Sequence, residues 1–443
     1  MERKMKDSGH PWIGKIPEHW ELHYLRGIAN AFRKGNGITK EDLDPDGDIL
    51  CVRYGDLYTK YNHCITTVSC RTNVSAIQNA VYSTYGDIYF TCSGEDVDLI
   101  GKSAAFLCDE PCLVGGDLII MRHNQNPRFL GYSLDSYVSQ KQKSYGKSKL
   151  KVVHTSVKDL KNVAIALPPL AEQERIVSYL DEKCGEIDEL IDVEQQMISD
   201  LESYRQAVIT EAVTHGLNPD VQNKQSTIQG IKDIPSDWNE VNLLKVIYLR
   251  ARLGWRGLKA EEYVDEGYPF LSAFNIVNNQ LVWENLNFIN QLRYDESPEI
   301  KLSLHDILIV KDGAGIGKCA RVENMPLGES TVNSSLGVIT VSETLYYSYL
   351  YYFFLSTPFQ DNVLFLKNGM GVPHLTQENL KSVRIPLPPV DEQKTIANFL
   401  DSKCSEIDGL IKVKQEKIET LKQYRQSLIF EAVTGKTPII ENL

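Results

Sequence analysis

Residues 167–215, LPPLAEQERIVSYLDEKCGEIDELIDVEQQMISDLESYRQAVITEAVTH, return at 387–435 as LPPVDEQKTIANFLDSKCSEIDGLIKVKQEKIETLKQYRQSLIFEAVTG. The offset is 220, there is no gap, and more than half of the positions are identical, which composition alone does not produce. The same register continues upstream more weakly, pairing His154 with His374, Leu160 with Leu380, Gly37 with Gly257 and Gly47 with Gly267. Near each start stands an IPxxW string, Ile16 to Trp20 and Ile234 to Trp238, in a register of 218. The chain is one plan written twice: a variable domain, a Leu-Pro-Pro stop and a long helical segment. Its expected divisions are 1–168, 169–215, a polar linker at 216–230, 231–388, 389–436 and a tail at 437–443.

After Pro169 and Pro389 come 44 residues without proline and almost without glycine. A helix of that length spans about 66 Å. Leu180, Cys184, Ile187, Ile191, Ile198, Leu201, Val208 and Ala212 recur at alternating spacings of three and four, as do Leu400, Cys404, Ile407, Ile411, Ile418, Leu421, Leu428 and Ala432. That is a heptad seam, interrupted at matching places by Glu194 and Arg205 and by Lys414 and Arg425, where polar groups set register and partner choice. Residues 171–214 carry a net charge of −9 and 391–434 a net of −1, so the acidic helix is expected to pair with the lysine-rich one. An antiparallel pairing places the two domains at opposite ends, related by a pseudo-two-fold axis. The alternative is a solvated stripe on two independent helices, which are poorly stable alone. Strand-like runs at 87–92, 117–122, 306–311 and 336–342, with a helical patch at 344–356, make each variable domain α+β, with a strand order that periodicity does not reveal. The expected fold is thus α+β, two pseudo-symmetric domains separated by a pair of long antiparallel coiled-coil helices.

The net charge of −12 does not exclude a polyanionic partner, because outside the two helical segments the balance is only −2. The start, MERKMKDSGHPWIGK, has no apolar stretch like that of a signal peptide, and no run is long enough to span a membrane, so a cytoplasmic location is expected. Nine cysteines at irregular spacings read as reduced thiols. His63, Cys64 and Cys70, with Cys108 and Cys112, lack a paired C-x2-C set, and small buried residues are the plainer reading than zinc ligands.

Catalytic motifs fail on inspection. Gly313 to Lys318 is glycine-rich but matches neither the dinucleotide nor the P-loop pattern, and Gly101-Lys102-Ser103 lacks the first glycine of a phosphate loop. A Gly-Lys turn at equivalent places in both halves reads better as a backbone or DNA-contacting turn. Asp181-Glu182-Lys183 and Asp401-Ser402-Lys403 resemble half of a nuclease carboxylate–lysine site, yet both lie inside the helical repeat, where such pairs are commonplace. Leu167-Pro168-Pro169 lacks the polar and aromatic flanks of an amino-methyltransferase motif, and no Ser/His/Asp elbow is visible.

The Leu-Pro-Pro-x-x-Glu-Gln strings, Ile16-Pro17-x-x-Trp20, the Gly-Lys pairs at 101–102 and 317–318, and the Glu-Ala-Val-Thr endings at 211–214 and 431–434 together resemble specificity subunits of type I restriction–modification systems. The resemblance covers nearly the whole chain and lies in the order of the motifs, met twice. It implies a non-catalytic subunit whose two target recognition domains each read half of a bipartite, asymmetric double-stranded DNA site. It also implies a helical spacer that docks two modification (methyltransferase) subunits. Those partners would carry S-adenosylmethionine and methylate adenine, and further restriction or motor subunits would use ATP. This chain would bind no cofactor or metal itself. The physics agrees, since a fixed rod joins two short readings into one site, with half-site centres about 34 Å apart.

DNA contacts are then expected where cations mix with polar and aromatic groups. In the first domain these are Lys102 and a loop of Lys141, Lys143, Ser144, Tyr145, Lys147, Lys149 and Lys151. In the second they are Arg250, Arg252, Arg256 and Lys259 around Trp255, with Lys318, Asn368 and His374. The seam residues are the expected helix-pairing and partner-docking set. A charge run also suits a solvated face, His154 and His374 equally suit structural roles, and Trp20 and Trp238 suit the core. Two rival readings remain open at this point: a self-sufficient DNA nuclease or methyltransferase resting on the Asp-x-Lys pairs, and a coiled-coil adaptor without nucleic acid.

Overall fold

In the computed structural model, residues 3–73, 80–148, 152–251, 258, 260–313, 315–367, 375, 379–380 and 383–439 are described. The chain forms two compact units that do not coincide with the two repeats: one holds residues 1–194 and 416–443, the other 195–415. Each unit therefore contains one variable domain and a stretch of both long helices, Leu170–His215 and Val390–Val433.

The first unit has a five-stranded sheet in the order Ala29–Lys34, Leu118–His123, Ile88–Thr91, Ser103–Phe106, Cys64–Ile65. A four-stranded sheet runs Arg71–Thr72, Ile49–Val52, Cys112–Val114, Tyr82–Ser83. Among the described residues, the second unit repeats the plan with fewer strands in these two sheets. Ile247–Arg250, Leu336–Val341, Ile307–Val310 and Cys319–Arg321 make one sheet, and Asn287–Ile289, Tyr268–Leu271 and Thr331–Val332 the other. The expected strand runs are these central strands. They read as continuous apolar stretches because both faces are covered: every residue of Ile88–Thr91 and of Ile307–Val310 is buried.

Two short helices close each domain over its sheet, Pro127–Asp135 with Tyr137–Ser144, and Tyr347–Leu355 with Thr357–Lys367. Asn126 caps the first, its side chain accepting from the amides of Arg128 and Phe129, with proline at the first turn. Trp20 and Trp238 are fully buried. Trp20 lies against Gly435, and Trp238 against Gly216, so each long helix ends on the tryptophan of the unit its C-terminal stretch belongs to.

The stretch 216–230 is more than a linker. Asn223–Gln225 pairs antiparallel with Asp233–Pro235, as Met5–Asp7 pairs with Lys15–Pro17 in the first unit, at an offset of 218. The second copy of the plan thus begins within that stretch. Its polar sequence hid the strand because neither face is buried. Among the described residues, no helix is long and apolar enough to cross a membrane, and no group of three or more His, Cys, Asp or Glu is placed to hold a metal.

Candidate functional site

The long helices run antiparallel within each unit. In the first, the Asp188 carboxylate meets the Arg425 guanidinium, and Glu194 meets Lys417 at 2.7 Å. In the second, Arg205 meets Asp408, and the Lys414 ammonium lies 3.0 Å from the Met197 sulfur. As one residue number rises, its partner's falls. The Asp–Arg pair of one unit maps onto that of the other at the offset of 220. Leu180, Cys184, Ile187, Ile191, Leu400, Cys404, Ile407, Ile411, Ile418, Leu428 and Ala432 are buried, and so is Ala212. Ile198, Leu201, Val208 and Leu421 are half-buried. Glu194, the polar interruption, is only 5% exposed and is held by Lys417.

One flank of the seam carries apolar side chains left in solvent. In the first unit these are Leu190, Val193 and Tyr424; in the second, Leu410, Val413 and Tyr204 are their counterparts at the same offset.

The Leu-Pro-Pro-x-x-Glu-Gln string is a joint. The buried Gln173 side chain accepts from the Asn126 amide (3.0 Å) and donates to the Pro168 carbonyl (2.9 Å). Gln393 does the same with Tyr346 (2.7 Å) and Pro388 (2.8 Å). These two glutamines fix the start of each long helix to the domain before it. Sequence reading missed them as functional; their repetition beside each Pro-Pro was the available signal. About two turns further on, Asp181 accepts from the Tyr132 hydroxyl at 2.9 Å and pairs with Arg128, while Asp401 accepts from Tyr352 at 2.7 Å and pairs with Arg321. Lys183 and Lys403 turn to Glu186 and Glu406 instead. The Asp-x-Lys aspartates therefore tether the long helices to the domains, and among the described residues no group of three or more His, Cys, Asp or Glu is placed to hold a metal.

Each unit has a cleft between its domain and a long helix. In the first, of about 450 Å³, Arg425, Gln426 and Ile429 face Lys102, Tyr132 and Gln140. In the second, of about 910 Å³, Arg205, Gln206 and Ile209 face Lys318, Tyr352 and Gln360. The Gly-Lys turns thus line equivalent clefts. Gly101 (φ +72°) and Gly317 (φ +86°) adopt backbone that disfavours a side chain. His63, at the edge of the first cleft, titrates at about 4, because burial and the nearby Arg425, Arg128 and Lys102 all disfavour its charged form.

Several expected DNA contacts are corrected. Residues 137–144 form a helix, not a loop. Lys143 is buried (2% exposed), and its ammonium donates to the carbonyls of Gly101 (2.6 Å) and Leu134 (2.7 Å) and reaches the Ser103 hydroxyl. Burial, with Lys102 nearby and against the attraction of Asp135, lowers its pKa to about 7. It is an internal pin and cannot reach a phosphate. Ser144 is buried with it. Lys147 is largely covered, bridging Asp159 and the His154 carbonyl. Arg250 is bound to Asp306 (2.6 Å), Thr340 and the Glu299 and Lys301 carbonyls inside the second domain, so it too is structural. Lys141 pairs with Asp98 at the surface, and Tyr145 is 75% exposed, packed edge-on against Trp12. His154 is exposed, with Ser93 beside its ring. Lys149, Lys151, Arg252, Trp255, Arg256, Lys259, Asn368 and His374 lie outside the described residues.

The sequence matches the type I restriction modification DNA specificity domain family twice, over residues 17–203 and 235–422. A putative type I restriction enzyme MjaX specificity subunit from Methanocaldococcus jannaschii is 27% identical over 435 residues, 96% of this chain and 95% of that one. The EcoBI specificity subunit from Escherichia coli is 25% identical over 347 residues, 75% of this chain and 71% of that one. In fold, a chain solved for complex assembly and conformational transition of the type I R-M system superposes with a TM-score of 0.72 at 20% identity, over 95% of this chain and 99% of that one. With a repeated α+β domain, a self-mapping antiparallel helix pair and two family matches that span most of its length, the chain belongs to the type I restriction–modification DNA specificity family.

Proposed function

We propose that this chain is the non-catalytic sequence-reading subunit of a type I restriction–modification complex, in which each variable domain reads one half of a bipartite, asymmetric double-stranded DNA site. The carrying observation is the duplication itself. Each unit repeats the same helix-pair register and the same Gln and Asp tethers, while the domains they hold differ in strands and surface. A common scaffold with two different readers is what one long asymmetric site requires.

The exposed flank of Leu190, Val193 and Tyr424, and its counterpart of Leu410, Val413 and Tyr204, supports docking of two modification subunits, one against each unit. Apolar and aromatic side chains left in solvent at matching places suit two copies of one partner. Those subunits would hold S-adenosylmethionine and methylate adenine; restriction or motor subunits would bring ATP-driven translocation and cleavage. In the first recognition domain, the exposed Tyr145, packed on Trp12, would be open to contact with a base.

The test is a pull-down from the native cells with mapping of methylated adenines before and after deletion of the gene. The expected result is a co-purifying methyltransferase and the loss of one bipartite methylated motif. An unchanged methylome with no methyltransferase recovered would refute the proposal, as would methyl transfer or cleavage by the purified chain alone.

A further inference from the structure

We propose that the two clefts seat the same acid-bearing segment of the modification subunit, one copy in each unit, with Lys102 and Lys318 as the ion-pairing anchors. This rests on the docking of two modification subunits argued above.

The internal repeat supplies the first argument. Two halves of an asymmetric DNA site need different contacts, whereas two copies of one partner need the same contact twice. The clefts are built from shared residues. Arg425, Gln426 and Ile429 of one match Arg205, Gln206 and Ile209 of the other at the offset of 220. Opposite them Tyr132 and Gln140 match Tyr352 and Gln360. Immediately beneath the Gly-Lys turn the identity stops, with Lys143 under Gly101 and Val363 under Gly317. The shared residues of the two halves thus extend to side chains that face the clefts.

Charge gives the second argument. Most cations of the clefts are already neutralised: Arg205 by Asp408, Arg425 by Asp188, Arg321 by Asp401 and Glu323, Lys141 by Asp98. Among the described residues, the Lys318 ammonium has no hydrogen bond or ion pair. Lys102 forms none either, although its charge acts through space on the Asp135 carboxyl in the same cleft. Among the described residues, each cleft thus presents one cation without a direct ion-pair partner, at an equivalent place, and that suits one anion per cleft.

Shape decides between a carboxylate and DNA. Open concave clefts of about 450 and 910 Å³ suit a ligand or a few peptide side chains. A duplex offers its phosphates on a convex surface, and one wall of each cleft is a long scaffold helix.

The experiment uses the full chain and its cognate modification subunit. Lys102→Glu, Lys318→Glu and the double variant are titrated with that subunit, and stoichiometry is read by native mass spectrometry. Lys102→Arg and Lys318→Arg serve as charge-preserving controls. Lys102→Gln and Lys318→Gln replace any Glu variant whose circular dichroism departs from the parent. Each single variant should weaken one of the two bound copies by roughly tenfold or more, and the double variant both copies. The Arg forms should bind as the parent does, and the salt dependence of binding to a random-sequence duplex should not move. Two copies bound at parental affinity by the double variant would overturn the inference while leaving the proposed function intact. If instead the duplex salt slope fell by about one per lysine with partner binding unchanged, the lysines would be phosphate contacts and the inference would be wrong. A parental chain that binds no modification subunit would overturn both.

Discussion

Beneath the Gly-Lys turn, the two units solve one packing problem with opposite chemistry. In the first, a lysine is driven into the interior and its ammonium is satisfied by two carbonyls and a hydroxyl. In the second, Val363 occupies the matching place against Gly317. The scaffold specifies a filled volume under a left-handed glycine, and it accepts a polar filler only where acceptors converge. The same contrast recurs in the seam, where the Glu194–Lys417 ion pair of one unit corresponds to the Met197–Lys414 contact of the other. Register survives this exchange because the apolar seam and the Asp–Arg pairs are common to both units.

The sharpest way to break the comparison is to fill the glycine. A Cβ at Gly317 would stand 2.8 Å from a branched Val363 methyl, and one at Gly101 would stand 3.0 Å from the flexible stem of Lys143. Gly317→Val should destabilise the second unit by about 3 kcal/mol or more, from left-handed strain plus overpacking. Gly101→Val should cost the first unit about 2 kcal/mol, because the lysine stem can yield. Hydrogen exchange of peptides from each unit reads both, and equal costs would show that the fillers are equally rigid.

The next largest effect concerns the fillers themselves. Lys143→Ala should cost about 3 kcal/mol through its cavity and orphaned carbonyls, and Val363→Ala about 2 kcal/mol through its cavity alone. Only the first unit should respond to pH at this site. Lys143 titrates at about 7 when folded, below the ordinary lysine value it regains on unfolding. Between those values the unfolded chain binds one proton more, so stability rises with pH across that window. Denaturant titrations at pH 7 and pH 9 should show the rise in the parent and not in Lys143→Met. A rise of equal size in Lys143→Met would assign it to other groups.

The smallest expected effect lies in the seam. Glu194 is buried but Lys417 is half in water, so Glu194→Met, which imitates the other unit's chemistry, should change stability by no more than about 1 kcal/mol. A loss of several kcal/mol would show that the ion pair, and not the apolar seam, holds the register.

What was legible in the sequence follows the range of the interactions. The helix pair was readable because its 3-4 spacing is local, and its antiparallel sense followed from charge and repetition. The central strands and the two tryptophans were readable from continuous apolar character and a repeated motif. Lys143 was not: a lysine among lysines reads as solvated, and its acceptors at Gly101, Ser103 and Leu134 come together only in the folded domain. Arg250 misled for the same reason, since Asp306 lies 56 residues away. The joint formed by Gln173 and Gln393 was visible as a repeated string, but its work, fixing helix to domain, appears only with the backbone amides of Asn126 and Tyr346 in place.

The central claim, one scaffold carrying two independent readers, is tested most directly by exchanging one reader. Residues 223–388 are replaced by the corresponding domain of another specificity subunit with a known target, and methylated adenines are mapped in cells that supply the modification subunit. The account predicts a bipartite motif with one half unchanged, the other half replaced and the gap preserved. Simultaneous change of both halves, or loss of methylation by a hybrid that still binds the modification subunit, would contradict it.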